Sequence, residues 1–122
     1  MSIVFFSLNE NGQLEPFEVE PDVASGLDGL PEDHSKYFDL VDGYEVIPLD
    51  KLVSSRARAK GIRNANSFMA AAAAGTMPKR QPISISPLEG DLFKVDDGNS
   101  TLINARLSGW TSIPCRRSPT EE

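Results

Sequence analysis

The sequence predicts a small α/β (α+β) domain, a mixed sheet with helices packed on it. Three observations predict it. Short runs rich in Val, Ile and Phe at 3–8, 14–19, 44–49, 82–86, 92–95 and 113–115 have the length of strands. Two stretches have helix character: the Ala-rich segment 68–74, and 99–108, which opens on small polar residues and stops at Gly109. A chain of 122 residues is also long enough for one hydrophobic core.

The first two runs form a hairpin. Asn11 and Gly12 between them both tolerate positive φ, which suits a tight turn. Pro16 cannot donate to a sheet ladder, so the second strand belongs at an edge. From 20 to 41 the pattern dissolves into Pro, Gly and acidic residues, which reads as a long acidic loop with one helical turn near 31–37. His34 lies in this loop and reads as an exposed residue without a role. A short strand then ends at Pro48. A helical segment is expected over 54–60, stopped by Gly61. A second helix is expected over 68–74, capped by Asn66 and Ser67 and ended by Gly75. The run Ala70 to Ala74 is a strong helix former without bulk, suited to close packing.

Residues 76–81 form a basic turn, and 83–95 a hairpin of two strands. The helix after Gly98 turns Leu102, Ala105 and the Arg106 stem inward. Leu102, Ala105, Trp110 and Ile113 should be buried with Ile83, Ile85 and Val95, because helix and strand periods place them on inward faces. The chain therefore divides into 1–44, a hairpin and acidic loop; 45–115, the main domain; and 116–122, a disordered tail by composition.

Charge is unevenly spread. Residues 1–50 hold twelve acids and one base, and residues 51–122 hold six acids and eleven bases, so a net −6 divides into −11 and +5. The acidic half can cover the basic half, bind a protein partner, or keep the protein soluble. No apolar run reaches the roughly 20 residues of a membrane span, and the first residues lack the pattern of a signal peptide, so a cytoplasmic protein without a membrane partner is expected. The lone Cys115, beside a Pro on a strand, reads as a small core residue rather than a nucleophile.

The chemistry is concentrated at 92–110. A strand, an acidic Gly turn and a helix aim the N–H groups of Asn99, Ser100 and Thr101 at one point, with two hydroxyls beside them. A helix N-terminus of this kind attracts anions. Gly98 makes the turn. Lys79 and Arg80 can supply charge from a neighbouring loop, and Asp96 and Asp97 can hold a Mg²⁺ that neutralises phosphate. The competing reading is structural: Asp97 or Asn99 caps the helix, and Ser100 and Thr101 satisfy local backbone. Arg56, Arg58, Lys60 and Arg63 form a further basic set, either a solvated helix face or a weak DNA contact. Net acidity counts against DNA.

Residues 45–115 resemble the ParB/sulfiredoxin family. The resemblance is carried, in order, by Pro48-Leu49-Asp50-Lys51-Leu52, Gln81-Pro82-Ile83, Asp97-Gly98, and Ala105 with Gly109-Trp110 and Ile113-Pro114. It implies the fold of that family. It also implies a nucleotide- or phosphate-binding domain of plasmid, phage or DNA-maintenance type, with weak nucleotide hydrolysis or nuclease activity. The chain departs from the pattern after Gly98. Family members carry Glu-Arg-Arg, Asn-His-Arg or Cys-His-Arg there, whereas this chain has Asn99-Ser100-Thr101. The sulfiredoxin nucleophile is thus missing, and so are the Arg and His that would contact nucleotide phosphates. The alternative is a non-catalytic protein-interaction module that keeps the fold without the active site.

Overall fold

The computed structural model describes residues 3–8, 11–40, 43–55 and 58–118. The strands are β1 (Ile3–Leu8), β2 (Leu14–Val19), β3 (Glu45–Pro48), β4 (Leu52–Ser55), β5 (Ile83–Pro87), β6 (Phe93–Asp97) and β7 (Ser112–Arg117). The helices are α1 (Pro21–Ser25), α2 (His34–Tyr37), α3 (Ala59–Ala73) and α4 (Asn99–Leu107), and a 3₁₀ turn spans Leu49–Lys51. The strands form one seven-stranded mixed sheet in the order β2-β1-β4-β6-β5-β7-β3. Pairs β1/β2, β5/β6 and β3/β7 are antiparallel; pairs β1/β4, β4/β6 and β5/β7 are parallel. The α/β class is therefore as the sequence predicts. The N-terminal hairpin forms, with Gly12 at φ +77° in its turn and β2 at the sheet edge.

The inward faces are also as read. Ile83, Ile85, Val95, Leu102, Ala105, Trp110 and Ile113 share one buried cluster with Leu49, Leu52 and Met69. A second cluster joins Phe17, Val19, Val23, Ile62 and Ile103. Cys115 lies in the first cluster. Burial, with a smaller contribution from the Glu45 charge, pushes its thiol up to about 12, so at neutral pH it is a protonated core residue.

Four expectations need correction. First, the two helices expected over 54–60 and 68–74 are one helix, α3, preceded by a strand, β4. Gly61 does not stop the helix; it sits in its first turns. Asn66 is not a cap but a buried side chain, 4% exposed. Its amide pairs with the backbone of Asp28 in both directions, accepting from Asp28 N–H at 3.0 Å and donating to Asp28 O at 2.9 Å. Arg56, from the expected basic set, lies outside the described residues.

Second, the acidic segment is not an open loop. It carries α1 and α2, the latter within the turn expected near 31–37. Leu30, Tyr37 and Phe38 enter the main core cluster. Trp110 accounts for this. Its indole N–H donates to Leu30 O at 2.6 Å, and its ring lies 5.2 Å from the Tyr37 ring. A large amphipathic aromatic of this kind buries area while keeping its polar atom satisfied.

Third, His34 is not a free surface residue. Its Nε2 lies 3.0 Å from Ser112 O and 3.1 Å from Glu32 Oε2. Both partners are acceptors, so Nε2 carries the proton. Glu32 in turn accepts from Thr111 N–H at 2.7 Å and from the Thr111 and Ser112 hydroxyls. The Thr111 N–H is the main reason that the Glu32 carboxyl is held below its ordinary value; the hydroxyls and His34 add to it against a smaller burial effect. A carboxyl with a lowered folded pKa stabilises the fold fully above its unfolded value, about 4.3, and loses that contribution as pH falls through the folded value. Glu32→Gln is therefore expected to flatten the fall in melting temperature between neutral pH and pH 3. Parallel melting curves of parent and variant across that range check this, and equal slopes would contradict it.

Fourth, the tail starts later than 116. Arg116 and Arg117 complete β7 in parallel register with Ser84 and Ile85, and Ser118 N–H donates to Ile85 O at 2.8 Å. The side of β5 away from β6 needs a partner, and these residues supply it. Residues 119–122 lie outside the described part. Among the described residues no helix is long and apolar enough to cross a membrane.

Candidate functional site

The β6 strand ends at Asp97, Gly98 turns the chain, and α4 begins at Asn99. Gly98 is required twice. Its φ of +105° is strained for any residue with a side chain, and a Cβ there would lie 2.5 Å from Ile83 Cγ2. The N-terminus of α4 has no side-chain cap, and its first turn contains no acid. The i→i−4 ladder starts with Leu102 N–H to Gly98 O at 2.9 Å. The amides of Asn99, Ser100 and Thr101 thus precede that ladder and point along the helix axis. Gly98, rather than Asp97 or Asn99, stands at the N-cap position. The Asn99 side chain instead reaches back to Val95 O at 3.4 Å.

This end of α4 opens into a cleft of about 550 Å³. Gly98, Asn99, Ser100 and Thr101 form one wall, continued by Asp96 and Asp97 of β6. Arg58, Lys60, Gly61, Asn64, Ala65 and Phe68 of the α3 region form the other, and Arg80 closes one side. Of the residues singled out in the sequence, the cleft gathers Gly98, Asn99, Ser100, Thr101, Arg80, Asp96 and Asp97. Lys79 is exposed and does not line it. Arg80 is held in place by backbone pairing: its N–H donates to Tyr37 O at 2.9 Å, and its O accepts from Asp39 N–H at 2.8 Å. Arg63 faces away, toward Asp22 at 3.9 Å.

The sequence offered Arg58 and Lys60 of the α3 wall only as a solvated helix face or a weak DNA contact, and missed the rest of that wall. Gly61, Asn64, Ala65 and Phe68 stand at the i, i+3, i+4, i+7 spacing of one helix face. That signal is visible only if the helix runs through Gly61. Glycine inside a helix costs roughly 1 kcal/mol against alanine. A Cβ at Gly61 would meet the Ser100 Oγ at 2.9 Å and the Ser100 Cβ at 3.9 Å, so α3 passes the start of α4 closely here and a larger residue would require the Ser100 hydroxyl to turn. Phe68 is 45% exposed on the rim.

A buried polar chain fixes the two helices in this arrangement. Asn66 Nδ2 donates to Asn104 Oδ1 at 2.9 Å, and Asn104 Nδ2 donates to Ile62 O at 3.0 Å and to Ser100 O at 2.9 Å. Asn104 is 1% exposed. The chain runs from the Asp28 backbone through α3 into the first turn of α4.

The expected metal pair fits a resident ion poorly. Asp96 is occupied by its own protein partners: it accepts from the hydroxyls of Ser86 and Ser118 and lies 3.4 Å from Lys94 Nζ. Burial raises its pKa, but the Ser118, Ser86 and Lys94 contacts outweigh that and leave it lowered. Among the described residues no group of three or more His, Cys, Asp or Glu is placed to hold a metal. The cleft is thus a cationic wall facing a helix N-terminus, with the carboxylates of Asp96 and Asp97 beside it. No family model matches the chain, and no curated protein matches it.

Proposed function

We propose that the cleft binds phosphate, and that the protein is a nucleotide- or phosphate-binding domain of ParB-like type. The observation that carries this reading is that Arg58, Lys60 and Arg80 line the same cleft as the uncapped start of α4. Three cations, a positive helix end and the Ser100 and Thr101 hydroxyls meet there, and each favours a negatively charged oxygen ligand. Asp96 and Asp97 disfavour one, so a nucleotide binds better with Mg²⁺ on its phosphates than without. In this reading the ion arrives with the nucleotide and is not resident. The ordered motif matches to the ParB/sulfiredoxin family support the nucleotide form. Weak nucleotide hydrolysis or nuclease activity remains part of the proposal, without an assigned catalytic residue.

Calorimetric titration with ATP, CTP and GTP, with and without Mg²⁺, tests it. Binding in the millimolar range or tighter is expected, and Ser100→Asp should weaken it at least about tenfold, equivalent to ~1.4 kcal/mol, because a carboxylate then stands where phosphate sits. No binding, or equal binding by the variant, would overturn the reading. One observation favours a second reading, a non-catalytic interaction module. The β3 strand lies at a sheet edge and exposes Val46, with Tyr44 exposed just before it. Open edges of this kind accept a partner's strand.

A further inference from the structure

We propose that Arg58 is shared between the phosphate cleft and the acidic corner of the N-terminal hairpin, so that this corner sets how tightly the cleft holds an anion. The proposal rests on the phosphate reading above and concerns the regulation of that site. The acidic and basic halves of the chain meet along α3. At one point of the meeting, Asp22 of α1 stands 3.9 Å from Arg63. At another, Arg58 at the N-cap of α3 lines two cavities at once. One is the phosphate cleft. The other, about 410 Å³, has Val19, Val23 and Ile62 in its wall and includes Glu18 and Glu20.

The backbone of Arg58 is anchored, since its O accepts from Ile62 N–H at 3.0 Å. Its side chain is exposed, as are Glu18 and Glu20. A guanidinium on a long flexible stem with a fixed root can serve either cavity, and carboxylate and phosphate oxygens compete for the same planar fork of donors. The carboxylates belong to the same chain, so they compete at a fixed effective concentration. A phosphate in the cleft and the carboxylates of Glu18 and Glu20 then compete for the Arg58 guanidinium. The acidic half is then a built-in competitor, and salt that screens it offsets part of the affinity that salt removes from the cleft.

The test uses the full chain, with pyrophosphate and ATP–Mg²⁺ as probes, and three comparisons. Glu18→Gln with Glu20→Gln should tighten binding about threefold at low salt, the scale of exposed charge pairs. Glu15→Gln, on the same strand but at neither cavity, should leave it unchanged. In an Arg58→Gln background the paired glutamate substitutions should give no gain. A gain that equals that of Glu15→Gln, or that survives without Arg58, is a general field effect and overturns the proposal, as does no gain. A readout without ligand separates this from the phosphate reading itself. The Arg58 Nε–Hε resonance should shift in the paired variant and stay in place in Glu15→Gln. If the resonance shifts as expected but neither probe binds the parent, the acidic corner does reach Arg58 and the phosphate reading fails. If the resonance does not move, the sharing of Arg58 is wrong whatever binds.

Discussion

Gly98→Val is expected to cost about 4 kcal/mol of stability, from about 1–2 for a side chain in left-handed backbone and about 1–3 for forcing a group into a filled core. The first contribution comes from the φ of +105°. The second comes from Ile83, whose Cγ2 and Cβ would lie 2.5 and 2.8 Å from the new Cβ. Ile83 is 3% exposed and sits inside the main cluster, so it cannot swing aside into solvent. Small domains typically hold 5–15 kcal/mol, so the variant should still fold, with a melting temperature lower by roughly 10–20 °C. The turn that aims α4 at the cleft would also shift, and anion binding should weaken in the folded variant. Denaturant melts read the stability. A loss under about 1 kcal/mol would mean that the turn relaxes easily and that Gly98 does not fix the site.

Asn104→Ala should be nearly as costly, about 3 kcal/mol, because it removes three hydrogen bonds of a buried side chain, two of them fully buried, and leaves a cavity. The bonds are those to Asn66, to Ile62 O and to Ser100 O. Asn66 keeps its pairing with Asp28, so the network is cut in the middle rather than dismantled. The sharper expectation concerns coupling. Asn66→Ala and Asn104→Ala should be non-additive by about 1 kcal/mol or more, since both break the same contact. Additive losses in a double-mutant cycle would show that the two amides act separately and that α3 and α4 are held by apolar packing instead.

The parts of the fold that could be read from the sequence are those whose signals are local. The first hairpin carries its own turn residues. The α4 helix carries Gly98 before it and Gly109, at φ +78°, after it. The buried set around Leu102 and Ile113 follows from helix and strand periods. The missed parts depend on distant partners. Leu52 to Ser55 has little strand character of its own, yet it pairs in parallel with both Ser7 and Phe93 neighbours in the sheet interior. Gly61 signals a helix stop unless Ser100, far along the chain, is known to lie against it. The sparse apolar residues Leu30, Tyr37 and Phe38 have no period, and only the Trp110 contacts explain their burial.

The same division holds at the site. That Asn99, Ser100 and Thr101 open a helix together was legible because a strand, a glycine turn and a helix are one local unit. Arg80 was legible as a charge in a nearby loop, whereas Lys79 beside it points elsewhere, a distinction no adjacent pair reveals. Asn64 and Phe68 were hidden by the division of α3 into two helices. The partners of Asp96 were hidden because Ser86 lies on β5 and Ser118 just after the end of β7.

The central claim is that the start of α4 and the cations of α3 form one phosphate site. Amide-resolved NMR titration with pyrophosphate tests it most directly. The account predicts saturable shifts at the Asn99, Ser100 and Thr101 amides, with matching shifts at Arg58, Lys60 and Arg80. Shifts confined to other parts of the chain, or none at millimolar pyrophosphate, would contradict it.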